Sequence, residues 1–151
     1  MSGVYIHIPF CRQACSYCDF HFSTLRRTQP AMVKAIIQEL ERRAPAWPGG
    51  QMSSVYLGGG TPSVLTVKQI EALLTAVQNH FSLHPGAEIT LEANPDDLNP
   101  DYLRDLRSLG INRLSIGLQS FDEQHLVLMN RSHSAAQSLR CLKQIPAAVF
   151  E

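Results

Sequence analysis

The sequence of 151 residues has no excess of either charge: thirteen basic and thirteen acidic residues cancel, and no basic run exceeds Arg26-Arg27 or Arg42-Arg43. A phosphate backbone is held by clustered Lys and Arg, so nucleic acid is not an expected partner. Nowhere do 18 apolar residues run together, and the opening MSGVYIHIPF has no basic stretch followed by a long apolar one. No transmembrane segment or secretory leader is expected, and a soluble cytoplasmic protein is. Cysteine is scarce as well. Three of the four fall between Cys11 and Cys18, a spacing that suits metal ligation in a reducing compartment better than a disulfide framework. Cys141 stands alone and is expected to be a small buried apolar side chain.

What the chain does have is a repeating unit. With 44% hydrophobic residues it can form one core of ordinary size. Short β-branched runs at 4–8, 53–57, 88–93 and 113–118 predict strands, each followed by a helical pattern. Val33, Ile36, Ile37 and Leu40 mark the first helix, and Val67, Ile70, Leu74, Val77 and Phe81 the second, with Thr66 and Gln69 as its capping box. Asn99, Pro100, Leu103, Leu106, Leu109 and Gly110 give the third a cap, a stripe and a stop. Ser134 with Gln137 predicts another capped start, ahead of Leu139 and Leu142. The stretch 45–52 reads as a loop between units, not a domain linker.

About four strand–helix units imply an α/β fold with a parallel sheet, either doubly wound or barrel-like. Strand parity chooses between them. Ile89 and Leu91 oppose Thr90, Glu92 and Asn94; Leu114, Ile116 and Leu118 oppose Ser115, Gly117 and Gln119; Val4, Ile6 and Ile8 oppose Tyr5 and His7. One apolar and one polar face favour a curved sheet or barrel around a polar ligand, since a doubly wound sheet is apolar on both. The unusual residues then gather on one rim, at the carboxyl ends of the strands.

Cys11, Cys15 and Cys18 admit two metal readings. With His21 they spell C-x3-C-x2-C-x2-H, the ligand set of a closed structural zinc site in a binding module. Alternatively, three thiolates hold three irons of a 4Fe–4S cluster and leave the fourth open. Gly58-Gly59-Gly60-Thr61-Pro62 lacks the lysine of a phosphate loop and reads either as a tight turn or as a place for close ligand approach. Glu92 is a strand-borne carboxylate that needs a partner, and a ligand contact is expected. His7 reads as a hydrogen-bonded core histidine, and His80, His84, His125 and His133 show no ligand spacing.

C-x3-C-x2-C with an aromatic before the third cysteine resembles the radical S-adenosylmethionine superfamily, whose fold is a full or partial (β/α) barrel. YIHIPFC (5–11), GGGTPS (58–63), LEANPDD (91–97), NRLSIGLQSFD (112–122) and MNRSH (129–133) resemble the group that contains oxygen-independent coproporphyrinogen III oxidase and the HemW haem chaperones. The resemblance implies that Cys11, Cys15 and Cys18 bind a 4Fe–4S cluster and that Tyr5 and Tyr17 lie beside S-adenosylmethionine. Gly59, Gly60 and Thr61 would meet the methionine end of that cofactor, and Glu92 would add a polar contact. Gln119 and Arg131 match oxidase residues that touch a second S-adenosylmethionine.

In such proteins an electron from the cluster breaks a carbon–sulfur bond of the sulfonium, giving methionine and a 5′-deoxyadenosyl radical. In the oxidases that radical acts on a porphyrinogen propionate; in the chaperones haem is bound as cargo and passed to an acceptor protein. The resemblance also implies an electron donor as a partner. The oxidases resemble C-x3-C-x2-C-x-C, whereas Phe20 stands here, and their N-terminal extension before the first strand has no counterpart. Both departures point to the chaperone branch. The resemblance implies that residues 1–151 are the N-terminal part of the superfamily's core domain, a partial, TIM-like (β/α) barrel: a fifth strand is expected near Phe150, the later strands and a C-terminal domain are expected to lie outside this sequence, and the fourth strand is expected to be an edge.

Overall fold

The computed structural model describes residues 2–145 and Phe150. The elements follow in the order β1 (Gly3–Ile8), α1 (Gln29–Arg43), β2 (Met52–Gly59), α2 (Val67–His80), β3 (Leu83–Ala93), α3 (Pro100–Ser108), β4 (Arg113–Ile116), α4 (Glu123–Leu128) and α5 (Ala135–Gln144). The strands form one sheet in the order β1-β2-β3-β4, and every pairing is parallel.

That order carries the architecture. Each right-handed crossover steps the same way, so successive helices land on the same face of the sheet. A doubly wound sheet would reverse direction and cover both. The helix-facing row is closed: Ile6, Val55, Leu57 and Leu91 are at most 2% exposed, against 60% for Tyr5 on the opposite face. The expected fold, an open TIM-like partial barrel with an uncovered polar face, is what forms.

Local chemistry sets the helix ends. Thr66 accepts from the Gln69 amide while Gln69 reaches back, closing the capping box of α2, and Ser134 with Gln137 does the same for α5. Asn99 accepts from the Tyr102 amide ahead of Pro100, and Gly110 leaves α3 at φ +91°. The apolar stripe of α2, Ile70, Leu73, Leu74 and Val77, is buried against the sheet. Each such side chain contributes roughly 1.5–3 kcal/mol by leaving water.

Several expectations need correction. β2 begins at Met52 and β3 at Leu83, so both outrun the apolar runs that marked them. β4 stops at Ile116, two residues short of the predicted span. Asp122 caps a further short helix, α4, by accepting from the Gln124 and His125 amides. In α5 the buried residues are Ser138 and Cys141, whereas Leu139 and Leu142 are exposed. His7 is not in the core: it sits exposed on the polar face, its Nδ1 3.1 Å from the Tyr5 hydroxyl. Strand parity put it there, because it alternates with the buried Ile6 and Ile8. The fifth strand expected near the chain's end falls on 146–151, outside the described residues apart from Phe150.

Candidate functional site

Parallel strands deliver all their following loops to one end. The loop after β1 carries the three cysteines and is closed at its base, where the Cys11 amide donates to the Ser23 carbonyl and the Ser23 amide to the Pro9 carbonyl. Its far side is fixed to the end of α4. The Ser16 amide and hydroxyl donate to the Met129 and Leu128 carbonyls, and Asn130 Nδ2 donates to the Ala14 carbonyl at 2.7 Å. Asn130 is left-handed at φ 54°, a conformation its side chain tolerates.

The loops enclose a cavity of about 250 Å³. Cys11, Cys15, Cys18 and Tyr17 line it from the first loop, and Gly59, Gly60 and Thr61 from the second. Glu92 enters from β3, Gln119 from the turn after β4, and Arg131 from the segment after α4. Tyr5 is not among them: it stacks on Tyr56 at 6.0 Å and lines a separate groove beside β1, together with His7 and His21.

Arg131 ties the site together. Its Nη1 donates to Cys15 Sγ at 3.3 Å and to the Tyr17 hydroxyl at 3.2 Å, while Nη2 donates to Asn94 Oδ1 and the Gly117 carbonyl, both at 2.7 Å. A Cβ on Gly117 would lie 3.3 Å from that Nη2, so a small residue leaves the guanidinium its place. Thr61 Oγ1 donates to Cys11 Sγ at 3.4 Å. Burial pushes the Cys11 thiol up, the Thr61 hydrogen bond pulls it down, the sulfurs of Cys18 and Cys15 push it up, and Arg131 pulls it down.

Glu92 has protein partners for both oxygens, the Tyr56 hydroxyl at 2.7 Å and the Gly59 amide at 3.0 Å. The carboxylate thereby fixes the glycine turn, where Gly59 has φ +114°. A Cβ on Gly60 would lie 2.8–3.0 Å from the backbone of Phe10 and Ile8, so the second loop rests directly on the first. Gln119, expected to close the fourth strand, lies beyond it with φ 64°, and the Leu118 carbonyl beside it accepts from Ser120 N and His133 Nε2.

All four cysteines are free. Among the described residues no three His, Cys, Asp or Glu side chains converge closely enough to hold a metal ion. Three thiols that share one cavity without meeting at a point suit a multi-iron group better than a mononuclear zinc. His21, the fourth ligand of the zinc reading, faces the other groove. The donor set and the cavity therefore fit an iron–sulfur cluster with an adjoining small ligand.

Some residues of the site carried no legible signal. Asp97 is buried and accepts from Arg12 and Ser63, a role that the motif LEANPDD marks only by its carboxylates. Ser63 enters the sequence reading only as the last residue of GGGTPS.

The sequence model of the radical SAM superfamily matches residues 5–150. The chain belongs to that superfamily. It is 37% identical over 150 residues to the haem chaperone HemW of Lactococcus lactis, covering 99% of this chain and 39% of that protein. It is also 37% identical to the oxygen-independent coproporphyrinogen III oxidase of Salmonella typhimurium over 131 residues, covering 85% of this chain and 29% of the oxidase. The structure of the Escherichia coli coproporphyrinogen III oxidase HemN, a radical SAM enzyme, superposes with a TM-score of 0.87 at 32% identity, over 95% of this chain and 34% of that one. The chain thus spans well under half the length of these relatives. At the level of the superfamily, membership implies a 4Fe–4S cluster and S-adenosylmethionine. Among the described residues no helix is long and apolar enough to cross a membrane.

Proposed function

We propose that this chain binds a 4Fe–4S cluster through Cys11, Cys15 and Cys18 and S-adenosylmethionine in the adjoining cavity, and that it serves haem metabolism as a haem chaperone. The observation that carries the reading is the meeting of three free thiols and a glycine turn on one cavity. The four strand–helix units are read as the N-terminal part of a radical SAM core domain, in keeping with the 39% share of the chaperone that the chain covers.

Cys11, Cys15 and Cys18 would hold the cluster, which when bound would supply one electron, received from an electron donor, to the sulfonium of S-adenosylmethionine. The chain's residues bind and orient. The backbone of Gly59 and Gly60, with Thr61 beside it, offers close approach to the methionine end. Glu92, already holding Gly59, presents its carboxylate to the polar part of the ligand, and Tyr17 supplies aromatic surface, while Tyr5, which lines the other groove, has no part in it. Arg131 keeps the Cys15 sulfur and the Tyr17 ring in register, and Gln119 adds an amide on the far wall. Haem delivery to an acceptor protein follows from the likeness to the chaperones, and Phe20, where the oxidases carry a cysteine, favours that branch. A cytoplasmic setting agrees with four free thiols.

The likeness to the oxidases supports a second reading, radical decarboxylation of coproporphyrinogen propionates. Anaerobic reconstitution with iron and sulfide separates the possibilities. Retention of four irons by the wild type, loss in C11S, C15S and C18S, and full retention in C141S are expected. Zinc held in place of iron sinks the reading. Haem binding without turnover of coproporphyrinogen supports the chaperone; turnover makes it an oxidase.

A further inference from the structure

Three loops of the site share one buried carboxylate that the functional reading leaves unused. The Asp97 side chain is 1% exposed. Its Oδ1 accepts from Arg12 Nε, and its Oδ2 accepts from Ser63 Oγ at 2.6 Å. Ser63 Oγ in turn accepts from the Asn94 amide at 3.1 Å, and the Asp97 amide donates back to the Asn94 carbonyl at 3.1 Å. Arg12 follows Cys11 directly, Ser63 lies two residues after Thr61, and Asn94 holds Arg131. Asp97 therefore touches the thiol loop and the glycine loop through its carboxylate and the end of β3 through its backbone amide.

We propose that Asp97 is a positioning residue that sets the spacing between the thiol loop and the glycine loop, with Arg12 and Ser63 as its two arms. A carboxylate is suited to this because it presents two acceptors of fixed geometry, one for each arm. Without Arg12 it would be a buried charge held by a single hydroxyl, so the two loops are ordered together or not at all. An amide at 97 removes the charge opposite Arg12 and turns one acceptor into a donor, which must face either the guanidinium or the Ser63 hydroxyl, whose proton then loses its acceptor. Asp96 takes no equal part: its Oδ2 lies 4.0 Å from Arg12 Nε, and its Oδ1, 4.0 Å from His133 Nδ1, has no hydrogen-bond partner among the described residues.

The inference rests on the reading that these two loops hold the cluster and S-adenosylmethionine, and its test separates the two. Asp97→Asn and Arg12→Gln are compared with the wild type, with Arg12→Lys as the conservative variant and the exposed pair partner Arg104→Gln as a charge control. Arg12 is half-exposed, so Arg12→Gln carries the test if Asp97→Asn does not fold. After reconstitution, iron and sulfide contents stay at the wild-type level while S-adenosylmethionine binds roughly tenfold more weakly, the usual scale for loss of an outer support. Its effect on the electron paramagnetic resonance of the reduced cluster fades in parallel. In the metal-free chain, amide exchange over Cys11–Ser23 quickens in both variants and is restored by Arg12→Lys. Wild-type affinity and wild-type exchange in Asp97→Asn and Arg12→Gln overturn the proposal. A wild type that takes up no iron overturns the cluster reading instead, and the exchange measurement on the metal-free chain still decides whether Asp97 clamps the loops.

Discussion

Arg131 Nη1 lies 3.3 Å from Cys15 Sγ, so the segment that follows α4 donates a charge-assisted hydrogen bond to a thiol of the loop that follows β1. Hydrogen bonds to ligand sulfur and nearby positive charge both favour the reduced, more negative form of a cluster. Arg131→Gln is therefore expected to lower the midpoint potential of the reconstituted cluster. One such bond is worth about 1.5 kcal/mol, on the order of 60 mV for one electron. Dye-equilibrated redox titration measures it; an unchanged or raised potential rules out this role for the guanidinium.

Glu92 should act on the phenols around it. Burial pushes the Tyr56 hydroxyl above its ordinary range, and the hydrogen bond to Glu92 and its charge push the same way. Tyr5 is raised by burial and then by Glu92. Glu92→Gln keeps an acceptor for Tyr56 but removes the charge, so phenolate formation at both residues moves to lower pH. Ultraviolet titration of the four tyrosines reads this directly; a curve superposable on the wild type's contradicts it.

The fold was legible because period and parity agreed along the chain. Ile6 and Ile8 against Tyr5 and His7, and Ile89 and Leu91 against Glu92, marked one covered face, and the capping boxes at Thr66 and Ser134 marked two helix starts. The thiols and the glycine turn were legible for a different reason, since few residue types can do their work. Asp97, Arg12 and Ser63 were not. Their partners lie 34 to 85 positions apart, and nothing local distinguishes a buried carboxylate from a solvated one. The same limit explains His7: its parity was read, but its exposure depends on an uncovered face. α4 was missed because six residues carry too little periodicity to stand out.

The contact between the two site loops predicts an order among glycine substitutions. A Cβ at Gly60 would meet backbone atoms at 2.8, 2.9 and 3.0 Å, and backbone cannot swing aside. At Gly110 the nearest atom is 3.9 Å away, so only the left-handed φ of +91° opposes alanine. Gly60→Ala should cost about 1–3 kcal/mol by overpacking, and Gly110→Ala about 1 kcal/mol. Urea midpoints decide it, and the prediction fails if Gly110→Ala is the more damaging.

His133 predicts a pH dependence of stability. It is the buried histidine of six; the other five are exposed. Burial holds its basicity below the ordinary range; the hydrogen bond to the Leu118 carbonyl raises it, Arg131 lowers it, and the carboxylates of Asp96 and Glu123 raise it. The folded chain thus keeps His133 neutral at a pH where the unfolded chain takes up a proton. The unfolded state binds more protons over that window, so stability rises with pH and is lost as pH falls below about 6.5, the ordinary histidine value, toward the folded one. His133→Gln retains an amide donor for Leu118 and removes the titration. Urea midpoints between neutral and mildly acidic pH should fall more steeply for the wild type than for the variant. Parallel curves would mean that His133 does not carry the effect.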